Sequence, residues 1–97
     1  MPEALPARVA VAPNVLFQEL EGESVLFNMQ NDHYFGLDDV GTEAWRLLAA
    51  HGEVEPVVAQ MLADYGHDVD EATLRRDLAD LIGQLVKAGL LNVPPVE

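Results

Sequence analysis

Two clusters of histidine and aspartate are the residues in this sequence best suited to metal or acid–base chemistry. They are His33 with Asp32, Asp38 and Asp39, and His67 with Asp68 and Asp70. A hydrolytic metal site needs about three ligands held rigidly on one face. The first cluster instead borders a turn and a helix start, and the second falls in a connecting loop. Neither spacing matches a metal motif, so the sequence predicts no catalytic residue, no metal and no cofactor.

Cysteine chemistry is excluded by composition. The chain has 97 residues and no cysteine, which removes disulfide frameworks, thiolate zinc sites, iron–sulfur clusters and cysteine nucleophiles. No apolar run approaches the ~20 residues that span a bilayer. The N-terminus lacks the basic start and long apolar segment of a secretory signal. We therefore expect a single small cytoplasmic domain with no membrane partner.

The charge balance argues against nucleic acid as a partner. The chain carries 17 acidic and 5 basic residues, a formal net charge of −12. Phosphate binding needs clustered lysine and arginine. In the last predicted helix, basic residues are interspersed with acidic ones, so no basic recognition face is predicted.

Three strand-like segments come first in the folded part of the chain. They fall at residues 15–20, 24–29 and 33–37 and are separated by turn residues. The short connections predict an antiparallel meander. Proline and small residues before this region predict a flexible N-terminal lead-in over residues 1–13. The domain is expected over 14–93, with a tail at 94–97.

Three helices are predicted after the strands. The first starts at Asp38 or Asp39, the second has Pro56 in its first turn, and the third starts at Asp70. Gly52, Gly66 and Gly89 end them. This order of elements predicts an α+β, winged-helix-like domain with a three-stranded antiparallel sheet followed by three helices.

The third helix has an apolar face wider than one core stripe. The stripe consists of Leu74, Leu78, Leu81, Leu85 and Ala88. One shoulder carries Asp77 and Gln84, and the other carries Arg75, Ala79, Ile82 and Val86. Two interpretations remain open for the apolar shoulder: it covers the strands or the chain end, or it forms the wall of a groove.

The stretch from His33 to Leu48, read HYFGLDDVGTEAWRLL, resembles the signature of the PqqD-like family. That pattern is an aromatic pair, a Leu-Asp turn, a Val-Gly step and a helix bearing Trp-x-Leu-Leu. The likeness extends over about residues 14–92. Family members are non-catalytic precursor-recognition elements for ribosomally made, post-translationally modified peptides.

The resemblance implies a peptide-binding site. A precursor leader would add as an antiparallel strand to the third strand, with its side chains in a cleft against the third helix. The implied site residues are Tyr34, Phe35, Gly36, Leu37, Arg75, Leu78, Ala79, Ile82 and Val86. Which of Tyr34 and Phe35 faces the cleft stays open, because neighbours in a strand point to opposite faces. Arg75 either meets a leader carboxylate or pairs with Glu71 or Glu55.

The resemblance also implies partner enzymes. Free-standing members of this length resemble the leader-binding proteins of lasso-peptide pathways, which work with a leader peptidase and a cyclase. One alternative is a recognition partner of a radical S-adenosylmethionine peptide-modifying enzyme. Another is a general interaction adaptor of the same fold. On the predicted site, Ile82→Glu is expected to weaken peptide binding more than tenfold while leaving the fold intact.

Overall fold

The architecture is a three-stranded sheet packed against three helices, with a second, short strand pair closing the domain. The computed structural model describes residues 5–66 and 68–94. In chain order the elements are β1 (Ala10–Val11), β2 (Val15–Leu20), β3 (Glu23–Asn28), β4 (His33–Leu37), α1 (Asp39–His51), α2 (Val54–Tyr65), α3 (Glu71–Lys87) and β5 (Leu91–Asn92). The predicted antiparallel sheet followed by three helices is confirmed, and the winged-helix likeness stays a prediction.

The sheet is a meander in the order β2-β3-β4, with both pairings antiparallel. The β2–β3 turn places Glu21 at φ 55° and Gly22 at φ 86°. Two successive positive φ values are the signature of the two-residue hairpin turn that matches strand twist. The register pairs Leu26 with Phe17 on one side and with Phe35 on the other. β4 is therefore an edge strand.

The two faces of the sheet have different surroundings. The inner face carries Leu26, which is fully buried, and Phe35 and Leu37, which pack in or against the helical core. The opposite face, called the outer face below, consists of Leu16, Gln18, Leu20, Glu23, Val25, Phe27, Tyr34 and Gly36. Most of its large apolar side chains are exposed.

The helix ends follow the capping residues. Asp38 accepts a hydrogen bond at Oδ1 from the Gly41 amide at 2.7 Å, and Asp70 accepts one from the Thr73 amide at 2.7 Å. The α1 helix ends at Gly52, whose φ of 71° is left-handed. The predicted caps of α1 and α3 are confirmed. Across the described residues, no helix has the length and apolarity needed to cross a membrane.

The N-terminal segment is attached to the domain by its backbone. The Val9 amide donates to Gly52 O at 2.9 Å, and the Val54 amide donates to Ala7 O at 3.0 Å. β1 pairs with β5, and the side chain of Val9 is buried in the core. Part of the segment predicted as a flexible lead-in therefore contributes to the fold, because backbone groups near Gly52 and β5 provide its hydrogen-bond partners.

A buried hydrogen bond between Ser24 of β3 and Thr42 of α1 makes a stability prediction possible. Their hydroxyl oxygens lie 2.7 Å apart and both residues are buried. Thr42→Val keeps the shape but leaves the Ser24 hydroxyl without this partner. We expect the free energy of unfolding to fall by about 1–3 kcal/mol in a urea titration. The double variant with Ser24→Ala should recover part of that loss. A single variant as stable as the wild type would contradict the prediction.

Candidate functional site

The free edge of β4 is the first component of the site. Within the described part of the chain β4 pairs only with β3, so alternate residues direct N–H and C=O groups away from the sheet. Such an edge accepts a further strand through main-chain hydrogen bonds. The edge borders a cavity between β4 and α3.

The cavity has a volume of about 800 Å³ and a mainly apolar lining. Phe35 and Leu37 contribute from β4, and Leu74, Leu78 and Leu81 contribute from α3. Further lining residues are Val40 and Ala44 of α1, Met61 and Tyr65 of α2, and Val69. This lining suits aromatic or aliphatic side chains of a ligand, since apolar pockets next to a strand edge give selectivity to main-chain pairing.

The polar residues of the lining give the cavity a negative potential. They are Asp38, Asp68, Asp77 and Gln84, and no lysine or arginine lines it among the described residues. Burial raises the pKa of Tyr65, and the charges of Glu43 and Asp39 raise it further. Negative charge therefore surrounds the end of the cavity that Tyr65 occupies. An anionic ligand is disfavoured there.

Four of the residues implied by the family resemblance line this cavity: Phe35, Gly36, Leu37 and Leu78. Tyr34 does not, because its side chain lies on the outer face, 74% exposed and 4.7 Å from the ring of Phe27 between centroids. Strand alternation thus answers the question left open by the sequence: Phe35 faces the cavity. Tyr34 contributes only backbone to the edge.

The other shoulder of α3 does not line the cavity. Ala79 and Ile82 are buried, Ile82 with 3% of its surface exposed as a member of the main core cluster. Val86 is partly exposed and lies outside the cavity lining. Ala79 and Ile82 add to the core, because α3 packs against α2 and β5 as well as bordering β4, whereas Val86 stays at the surface. The interpretation of this shoulder as a groove wall therefore differs from the structure.

Arg75 is engaged in a salt-bridge network outside the cavity. Its guanidinium donates to both carboxylate oxygens of Glu55 at 2.8 Å, and its Nε donates to Glu71 at 2.8 Å. These bonds raise the pKa of Arg75, with Glu55 the larger cause, and lower the pKa of Glu55. Of the two roles considered for Arg75, pairing with Glu55 and Glu71 is the observed one. The pair links α3 to the start of α2.

Apart from Leu78, the sequence interpretation missed the α3 residues on the cavity side. Asp77 and Gln84 form the shoulder that borders the cavity, together with Leu74 and Leu81. The helical periodicity separates the two shoulders but does not say which one turns towards β4. The available signal was that Leu74 and Leu81 lie on the side of the core stripe nearest to Asp77 and Gln84.

Over the part of the chain that the structure describes, no group of three or more histidine, aspartate and glutamate residues is placed to hold a metal ion. Asp38 of the first cluster serves as the α1 cap. His67 of the second cluster lies outside the described residues.

Comparison with known proteins gives one family and two solved structures. Residues 23–91 match the family model described as Coenzyme PQQ synthesis protein D (PqqD). A structure of TbiB1 in complex with the TbiA(beta) leader peptide is similar at 33% identity and a TM-score of 0.81, covering 90% of this chain and 99% of that chain. A lasso peptide synthetase B1 complexed with the leader peptide has 21% identity and a TM-score of 0.76, covering 89% and 99%. No curated protein sequence matches the chain.

Proposed function

Because the chain belongs to the PqqD family, we propose that it binds the leader segment of a ribosomally made precursor peptide. The leader adds as an antiparallel strand to the free edge of β4. The TbiB1 relative, 33% identical over nearly its whole length, was solved with a leader peptide, which supports leader binding. The other similar structure is a lasso peptide synthetase B1, so we favour a lasso-peptide pathway over the radical S-adenosylmethionine alternative.

The observation that carries the proposal is the position of the open β4 edge beside the apolar cavity. Main-chain hydrogen bonds along the edge supply affinity that tolerates sequence variation. Two or three apolar leader side chains, placed in the cavity beside Phe35, Leu78 and Leu81, supply selectivity. A strand and its anchors would bury roughly 600–800 Å² on each partner, the usual scale of a specific complex.

We assign the protein no reaction of its own. Among the described residues, the cavity is lined by apolar side chains, the Tyr65 phenol, carboxylates and one amide, a set suited to binding an apolar peptide segment. Its role is to hold the leader so that separate enzymes, a leader peptidase and a cyclase, act on the rest of the precursor.

The direct test is a titration of the folded protein with a labelled leader peptide, followed by fluorescence anisotropy. The probes are the leader of the precursor encoded nearest to this protein and the TbiA(beta) leader, with a scrambled sequence as the control. We expect submicromolar binding of the encoded leader and none of the scrambled peptide. A folded protein that binds neither leader would refute leader recognition and favour a general adaptor.

Gly36 provides a variant that separates binding from folding. A Cβ added at Gly36 meets no atom within 4 Å, so Gly36→Val is compatible with the fold. Gly36 also lines the cavity, so the valine methyl groups stand where an added backbone can approach closely. We expect leader affinity to fall about tenfold, which corresponds to about 1.4 kcal/mol.

The matched control for this variant is Gly83→Val. Gly83 lies in α3 outside the cavity lining, and a Cβ there also meets no atom within 4 Å. Leader affinity should be unchanged in this control. If Gly36→Val binds the leader as tightly as the wild type does, Gly36 is not part of the site.

A further inference from the structure

The outer face of the sheet is an exposed apolar surface that leader binding leaves unused. Leu16 is 48% exposed, and Leu20, Val25 and Tyr34 are exposed as well. The rings of Phe27 and Tyr34 pack against each other in the row of this face that also contains Leu16, with centroids 4.7 Å apart and planes inclined by 43°. Contiguous exposed apolar surface of this kind on a small domain marks an interaction site.

The surface also has a shape that a partner can fill. A depression of about 890 Å³ is lined by Leu16, Leu20, Val25, Phe27 and Tyr34. Gly36 extends the face without a side chain, and nothing lies within 4 Å of its Cβ position. Aromatic side chains in such a depression are the residue type that most often dominates binding energy.

The charges around the depression indicate which sign of charge a partner should carry. Glu19, Glu21 and Glu23 line it, and no lysine or arginine does so among the described residues. Glu19 forms an ion pair with Arg46 of α1. A second copy of this chain would bring the same glutamates and a net charge of −12 against them. Like-charge juxtaposition disfavours that copy and favours a basic partner.

We propose that the outer face docks a protein whose contact surface is apolar at its centre and rimmed by lysine and arginine. Phe35 points to the inner side of β4 and Tyr34 to the outer side, so the leader site and this surface lie on opposite faces of one strand. The protein then holds a peptide on one side and an enzyme on the other. This docking is an interaction in addition to leader recognition. The leader and the docked protein occupy separate surfaces and need not compete.

The test compares two lysine substitutions with matched exposure. Leu16, 48% exposed, lies on the outer face, and Val93, 47% exposed, lies outside it. The probe is the leader peptidase encoded beside the precursor, with its affinity for this protein measured by biolayer interferometry at low salt. We expect Leu16→Lys to weaken that complex at least tenfold, Val93→Lys to leave it unchanged, and Leu16→Glu to weaken it less than Leu16→Lys.

Leader affinity is measured in parallel, so that failure of docking is distinguished from failure of leader recognition. Neither Leu16 nor Val93 lines the leader cavity, and both variants should bind the leader like the wild type. Equal effects of Leu16→Lys and Val93→Lys on the peptidase would overturn the proposal, as would no complex with wild-type protein. Self-association of the wild type in sedimentation experiments that Leu16→Lys abolishes would assign the face to a second copy instead.

Discussion

Ile82→Glu should unfold the protein or bring it close to unfolding. Ile82 is 3% exposed and belongs to the core cluster with Leu78 and Leu85. The substitution removes an apolar side chain and places a carboxylate within the hydrophobic core cluster. We expect the free energy of unfolding to fall by about 4 kcal/mol or more, a large share of the ~5–15 kcal/mol of a typical domain.

Urea denaturation followed by tryptophan fluorescence measures this loss, since Trp45 is buried in the same core. The control is Ile82→Val, which keeps the apolar character and should cost about 0.5–1.5 kcal/mol. A folded Ile82→Glu protein with selectively weakened leader binding would return Ile82 to the cleft and contradict the structure. That result, weaker peptide binding with an intact fold, is the one predicted from the sequence alone.

Leu81→Glu, one residue earlier, should leave the fold intact and weaken leader binding, the reverse of what we expect for Ile82→Glu. Leu81 is only partly buried, and it lines the cavity beside β4. A glutamate there stays in contact with water but places a charge among the apolar anchors, next to Asp77 and Gln84. We expect the variant to fold and its leader affinity to drop more than tenfold, which corresponds to at least about 1.4 kcal/mol.

Val86→Glu is the matched control, because it adds the same charge to the opposite shoulder of α3. Val86 is partly exposed and outside the cavity, so leader affinity should be unchanged. Circular dichroism checks that both variants fold, and Leu81→Gln tests the position without a new charge. If Val86→Glu abolishes binding and Leu81→Glu does not, the leader lies against the other shoulder.

Local signals in the sequence were sufficient to predict the three strands of the main sheet and the three helices. Turn residues separate the strands, and Asp38 and Asp70 cap α1 and α3. Turns and helix caps involve residues that are close together in the chain, so they can be recognised from the sequence. The family resemblance, carried by residues 33–48, agrees with the family match over residues 23–91.

Local sequence signals could not predict which side of α3 turns towards β4. Periodicity shows how wide the apolar surface is, but the burial of Ile82 depends on how α3 packs in the whole domain, where it contacts α2 and β5. The position of Val9 likewise depends on hydrogen bonding to Gly52, far along the chain. Both are long-range consequences of packing and leave little mark on local sequence.

The pairing of β1 with β5 brings the two ends of the described chain together. Ala10 lies opposite Asn92, and Val11 lies opposite Leu91. Adjacent ends let a domain be inserted into a surface loop of a host protein, because the host chain leaves and returns at nearly the same point. The β4 edge belongs to a different sheet, so an inserted copy keeps that edge clear of the junction. The topology of the domain is therefore compatible with insertion into a host protein.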